Sequence, residues 1–145
     1  MLCYKTHVDG ESMYNTPPCY TIYVLGKVLK WIEANGGAEG MAKRNKEKAD
    51  FLYNYLDKNE GNFYHATALI GSRSLMNIPF LTKYAGAENE KEINAKFVKE
   101  AEAAGLVNLK GHRLVGGMRA SIYNAMSLDG VKALVEFMKA FAAKN

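Results

Sequence analysis

The run from Met118 to Tyr123 alternates: Met118, Ala120 and Ile122 fall on one side of an extended chain, and Arg119, Ser121 and Tyr123 on the other. That pattern calls for a strand with one apolar face, because helical geometry would scatter the two sets. Gly116 and Gly117 stand immediately before it, and a glycine pair ahead of a strand reads as a turn between strands. A sheet near the end of the sequence is therefore required. The remaining segments must supply its other strands and the helices that cover its apolar face.

Those segments can be read in order. Residues 1–14 show no period and read as an irregular lead-in. Thr16 is placed to cap a helix whose first position is Pro17, where the missing N–H costs nothing. Ile22, Leu25, Val28, Leu29 and Ile32 recur at helical spacing, and Gly36-Gly37 stops the helix. A second helix is expected from about 38 to 58, with Met41, Ala49, Leu52 and Leu56 inward and Lys43, Lys46, Glu47 and Lys48 in water. A short strand is expected at 63–67. A second is expected at 75–82, where Met76, Ile78 and Phe80 alternate. Pro79 has no N–H to donate, which calls for an edge or a bulge there. A third helix over 90–104 carries Ile93, Phe97 and Ala101 on one face and ends at Gly105. Residues 106–109 read as a strand leading into the glycine turn. Ser127 caps a last helix with Val131, Leu134, Val135, Met138 and Phe141 as its apolar face. The expected fold class is α+β, a two-layer arrangement of helices packed on a small, mostly antiparallel sheet.

Composition narrows the function classes. The chain has 145 residues, enough for one core, and its net charge of +4 comes from lysines dispersed among glutamates. Such dispersal reads as solvated helix faces, with no nucleic acid stripe. No apolar run is long enough to cross a membrane, and the opening MLCYKTHVDG has no secretory core. Cys3 and Cys19 make no disulfide framework, so a reduced, cytoplasmic setting is the expectation. His7, His65 and His112 are scattered and no CxxC occurs, so no metal set is read. Trp31 and the tyrosines of the first two helices read as packing groups.

What chemistry remains gathers around the glycine turn. His112 and Arg113 lie between Gly111 and the Gly116-Gly117 pair, and Arg119 follows on the polar face of the strand. An arginine presents a planar fork that grips carboxylate or phosphate through two parallel bonds. Two forks a few residues apart suit the two ends of a doubly anionic small molecule. The plainer reading, arginines in weak surface ion pairs beside an ordinary turn, stays open. Asn15 and Thr16 likewise read either as anion-binding groups at a helix start or as a plain cap.

Four blocks carry a family resemblance: YNTPP at 14–18, SRSLMNIPF at 72–80, LVNLKGHRLVGGMRASIYNAM at 106–126 and the closing LDGVKALVEFMKAFA. Together they resemble the C-terminal part of the phosphoserine aminotransferases. The resemblance implies the small domain of a fold-type I transaminase over residues 18–145, with 1–17 as a connecting segment. It implies pyridoxal 5'-phosphate as cofactor and a homodimer. The implied reaction turns 3-phosphohydroxypyruvate and glutamate into phosphoserine and 2-oxoglutarate, with a related step of vitamin B6 synthesis also open. Arg119 matches the residue that holds the substrate α-carboxylate. His112 and Arg113 match the pair that meets the substrate phosphate or the distal carboxylate of glutamate, in a pocket completed across the dimer. Asn15 and Thr16 match the pair that reaches the cofactor phosphate of the neighbouring subunit. The lysine that anchors the cofactor covalently precedes the matched part, and no lysine here stands in its context. The resemblance therefore implies a fragment, inactive by itself. The alternative is a free-standing, non-enzymatic module for anion binding or dimerisation.

Overall fold

A computed structural model describes residues 2–145, apart from the side chain of Glu60. The chain divides into two units, the first ending at Gly40 and the second running from Met41 to Asn145. In the first unit, the lead-in contains a helix after all, α1 (Tyr4–Asp9), of a single turn and a half. α2 spans Cys19–Ala34 and has Pro18 as its N-cap, with no side-chain capping bond. The expected cap at Thr16 is thus displaced. Each of the two prolines pushes the residue before it out of helical geometry, so neither Thr16 nor Pro17 can open the helix. None of the residues of α2 is buried. α3 (Gly37–Lys58) begins in the first unit and continues into the second.

The second unit holds the sheet. β1 (Tyr64–Ala66), β2 (Asn77–Thr82) and β3 (Met118–Ser121) pair antiparallel in that spatial order. Ile78 and Phe80 on β2 lie opposite Ala120 and Met118 on β3, and all four are buried. α4 (Glu90–Ala103) and α5 (Leu128–Ala142) complete the unit. The Ser127 hydroxyl accepts the Gly130 N–H at 3.2 Å, so the expected cap of α5 is present. All five apolar residues predicted for α5 are buried. Phe97 of α4 stands at the centre, its ring centroid 5.9 Å from Phe80, 6.0 Å from Tyr64 and 5.1 Å from Phe141, each edge to face. The architecture is the α+β class expected.

Three local expectations change. Residues 106–109 form no strand; only an isolated bridge between Lys110 and Met118 is present, and Asn108 sits at a φ of 62°. A left-handed residue interrupts extended geometry, so the ladder starts only after it. Pro79 lies on the central strand, not at a sheet edge. Its carbonyl accepts from Thr67, one residue past the end of β1. The missing donor faces a side where no strand continues, which is why a proline is tolerated there. Lys48, expected in water, is fully buried. Its ammonium donates to the Ile122 carbonyl at 2.9 Å and to that of Tyr123 at 2.7 Å. Desolvation, and then the charge of Arg44, lower its pKa from the ordinary lysine value.

Candidate functional site

The central stretch folds into a hairpin whose geometry is dictated by glycines. Gly111 donates to the Gly117 carbonyl at 3.0 Å, and the Arg119 N–H donates to Leu109 at 2.8 Å. Residues 112–116 close the loop, with the His112 carbonyl accepting from Val115 at 3.0 Å and from Gly116 at 2.8 Å. A side chain on Gly111 would collide with the carbonyls of Gly116 and Gly117. Gly117, at a φ of 63°, has the Phe80 carbonyl and the Leu81 side chain where a Cβ would go. The loop is therefore drawn tightly against β2, and two of its three glycines are sterically required.

Within this loop, His112 accepts the Leu114 N–H on its Nδ1 at 3.2 Å. An acceptor at Nδ1 places the proton of the neutral ring on Nε2, leaving an N–H to offer outward. His112 and Arg113 are exposed and line one cavity of about 410 Å³. The rest of its wall comes from Lys110, Gly111, Gly116 and Gly117 of the hairpin and from Lys91, Asn94 and Ala95 of α4. Residues 91, 94 and 95 lie on one face of that helix by i, i+3, i+4 spacing. Among the described residues, no carboxylate lines the cavity. Glu90, beside it in sequence, is engaged by the Gly86 N–H at 2.7 Å and by Asn94 at 3.4 Å.

Arg119 is placed differently. It sits on β3 opposite Pro79, on the sheet face away from the core, and does not line the His112–Arg113 cavity. Its Nε is buried without a hydrogen-bond partner among the described residues. So is the Oδ1 of Asn77, which occupies the same sheet face opposite Ser121. Buried polar atoms are rarely left unpaired, so this face has hydrogen-bonding capacity to offer a ligand. The two arginines thus serve two places and do not converge on one cavity. Asn15 and Thr16 belong to the first unit, both exposed and just ahead of the double proline.

Sequence reasoning missed Lys91, Asn94 and Lys110 as cavity residues. Lys110 stands inside the recognised block, one residue before Gly111, whereas no local pattern ties 91, 94 and 95 to the hairpin. Arg73, by contrast, is a structural group. It makes a two-bond pair with Asp57, both at 2.7 Å, and stacks 4.4 Å from the Tyr53 ring centroid.

The family model described as "Aminotransferase class-V" matches residues 1–134. This chain belongs to the class-V aminotransferase family. Phosphoserine aminotransferase of Laribacter hongkongensis is 50% identical over 145 residues, all of this chain and 38% of that protein. Its counterpart in Desulfotalea psychrophila is 51% identical over the same spans. Among solved structures, phosphoserine aminotransferase from Bacillus circulans subsp. alkalophilus superposes with a TM-score of 0.86 at 45% identity, over 97% of this chain and 37% of that one. The phosphoserine aminotransferase of Trichomonas vaginalis, described as bound to PLP, gives 0.84 at 40% identity over 94% and 37%. The resemblance read from the four sequence blocks is thereby borne out. The class-V chain described here spans a little over a third of the length of these relatives.

Proposed function

We propose that this chain is the substrate-orienting part of a phosphoserine aminotransferase, a pyridoxal-phosphate transaminase of the cytoplasm that works as a homodimer and exchanges amino groups between glutamate and 3-phosphohydroxypyruvate. The observation that carries the reading is Arg119, a guanidinium on a half-buried sheet face whose Nε has no hydrogen-bond partner among the described residues. That atom fits the α-carboxylate shared by every amino- and oxo-acid substrate. His112 and Arg113, in their own cation-lined cavity, fit the distal anion. Their separation from Arg119 suits a site to which one subunit gives Arg119 and the other gives the loop.

The cofactor fits at its phosphate end. Asn15 and Thr16 bring a side-chain amide and a hydroxyl to the start of α2, where Ile22 closes the first turn on the Pro18 carbonyl. At such a helix start the first amides point outward and the helix dipole adds a partial positive charge. When bound, pyridoxal phosphate supplies the electron sink for chemistry at the substrate α-carbon. The residues of this chain hold the two anionic ends of the substrate and the cofactor phosphate. None is assigned proton transfer, and no lysine here stands in the context of the family's covalent anchor.

The deciding test compares phosphoserine with alanine as amino donor in the full-length dimer. Arg119→Lys keeps the charge but loses the planar fork, so it should weaken every substrate. Arg113→Ala should lower kcat/KM for phosphoserine by about thirtyfold or more, since breaking a desolvated charged contact costs roughly 2–5 kcal/mol, and should spare alanine. An equal loss for both donors removes the assignment of the His112–Arg113 loop. Transamination by this chain alone would overturn the division of labour.

A further inference from the structure

The cavity under the glycine hairpin holds more positive charge than one carboxylate requires. Lys91, Lys110 and Arg113 line it together with the His112 ring, and among the described residues no carboxylate belongs to its wall. None of the three cations forms an ion pair among the described residues. Lys91 and Lys110 come from different elements, α4 and the hairpin, so the sequence separates them while the fold brings them to one opening.

We propose that Lys91 and Lys110 are specificity-determining residues that select a phosphate monoester over a carboxylate in this cavity. The inference rests on the reading of His112 and Arg113 as distal-anion groups. A carboxylate has two oxygens, and one guanidinium fork satisfies both in a planar, bidentate contact. A phosphate monoester has three terminal oxygens in a tetrahedral array and close to two negative charges near neutral pH. The arginine fork takes two of them, and a third faces away from its plane. An ammonium is a compact charge with three rotatable donors and no planar requirement, so it suits that third oxygen. Two lysines from different elements of the cavity wall therefore add binding for the dianion that a carboxylate has no atoms to use. They also reward the second ionisation of the phosphate, whose pKa lies near 6.

The test uses the full-length dimer and two probes, methyl phosphate and acetate, at constant ionic strength. Backbone amide shifts of Gly111, Arg113 and Gly117 report binding. Lys91→Met and Lys110→Met, both at exposed positions, should each weaken methyl phosphate by about three- to tenfold and leave acetate within about twofold, as charge-assisted contacts to one anion only would. Each should also flatten the rise in methyl phosphate affinity between pH 5 and 7 (a range spanning that second pKa, about 6), an effect that a merely structural role would not produce. Equal losses for both probes would reduce the lysines to a general positive field and overturn the proposal. If Arg113→Met abolishes binding while both lysine variants bind like wild type, the proposal falls and the distal-anion reading stands. If Arg113→Met changes nothing, or the wild-type dimer shifts with neither probe, both fall.

Discussion

α2 and α5 are almost the same length, 16 and 15 residues, and both are rich in apolar side chains. Their fates differ. In α5 the apolar residues keep to one stripe, and Val131, Leu134, Val135, Met138 and Phe141 all lie in the core. In α2 they spread round the cylinder, and none is buried; Tyr20 is 80% exposed and Leu25 and Leu29 55% and 56%. A helix that is apolar on one stripe needs one sheet to cover it, whereas one that is apolar on several sides needs more than one neighbour. The difference teaches that the sheet unit supplies its own hydrophobic stabilisation. α2 leaves a surface of the kind that drives association.

Truncating each helix in turn tests that contrast most strongly. Phe141→Ala removes a ring in contact with Phe97 and should cost about 3–5 kcal/mol in urea unfolding, as large aromatic truncations in cores do. Leu25→Ala should stay within about 0.5 kcal/mol, because there is no packing to lose. Equal costs would mean that α2 is covered as well as α5. Leu25→Glu should leave the unfolding midpoint unchanged and reduce self-association in sedimentation.

A smaller effect is expected where the core is held by polar groups. Lys48→Met removes the ammonium that joins α3 to the carbonyls of Ile122 and Tyr123. Leaving those acceptors unmet should cost about 1–3 kcal/mol. Hydrogen exchange should quicken around residues 122–124, where Asn45 also donates to Asn124 at 2.7 Å. A fully neutral result would mean that methionine packing offsets both bonds.

The smallest effect is electrostatic. The hydrogen bonds from Arg73 hold the Asp57 carboxyl below its ordinary value of 3.8. A carboxylate with a depressed folded-state pKa contributes stability that is present above that ordinary value and is lost as pH falls through the depressed one. The pair is partly exposed, so solvent screening keeps the contribution to about 1 kcal/mol or less. Asp57→Asn should therefore flatten the acid limb of the stability curve below about pH 4 and little else. An unchanged acid limb would remove the pair from the account of stability.

Much of the fold was legible because periodicity reports which face of an element is apolar. The alternation at Met118–Ile122, the stripe on α5 and the Ser127 cap all appear in the structure as read. Strand and helix ends were harder. Two prolines moved the start of α2, and a left-handed Asn108 removed an expected strand, because both depend on backbone geometry at single residues. The hairpin loop could be recognised as an anion-binding candidate from its residue types, but its partners in α4 could not.

The sequence alone determined the order of α3, β1, β2, α4, β3 and α5, the inward apolar faces of the sheet unit and the family blocks, since each of those is a local pattern. Only the tertiary structure decided that Lys48 is buried, because a lysine is placed in a core when two carbonyls from a distant segment, here just past β3, meet it there. Only the tertiary structure separated Arg119 from the His112–Arg113 cavity and joined Lys91 to Lys110. Proximity between residues far apart in the chain is a property of how the elements pack, and no local pattern encodes it.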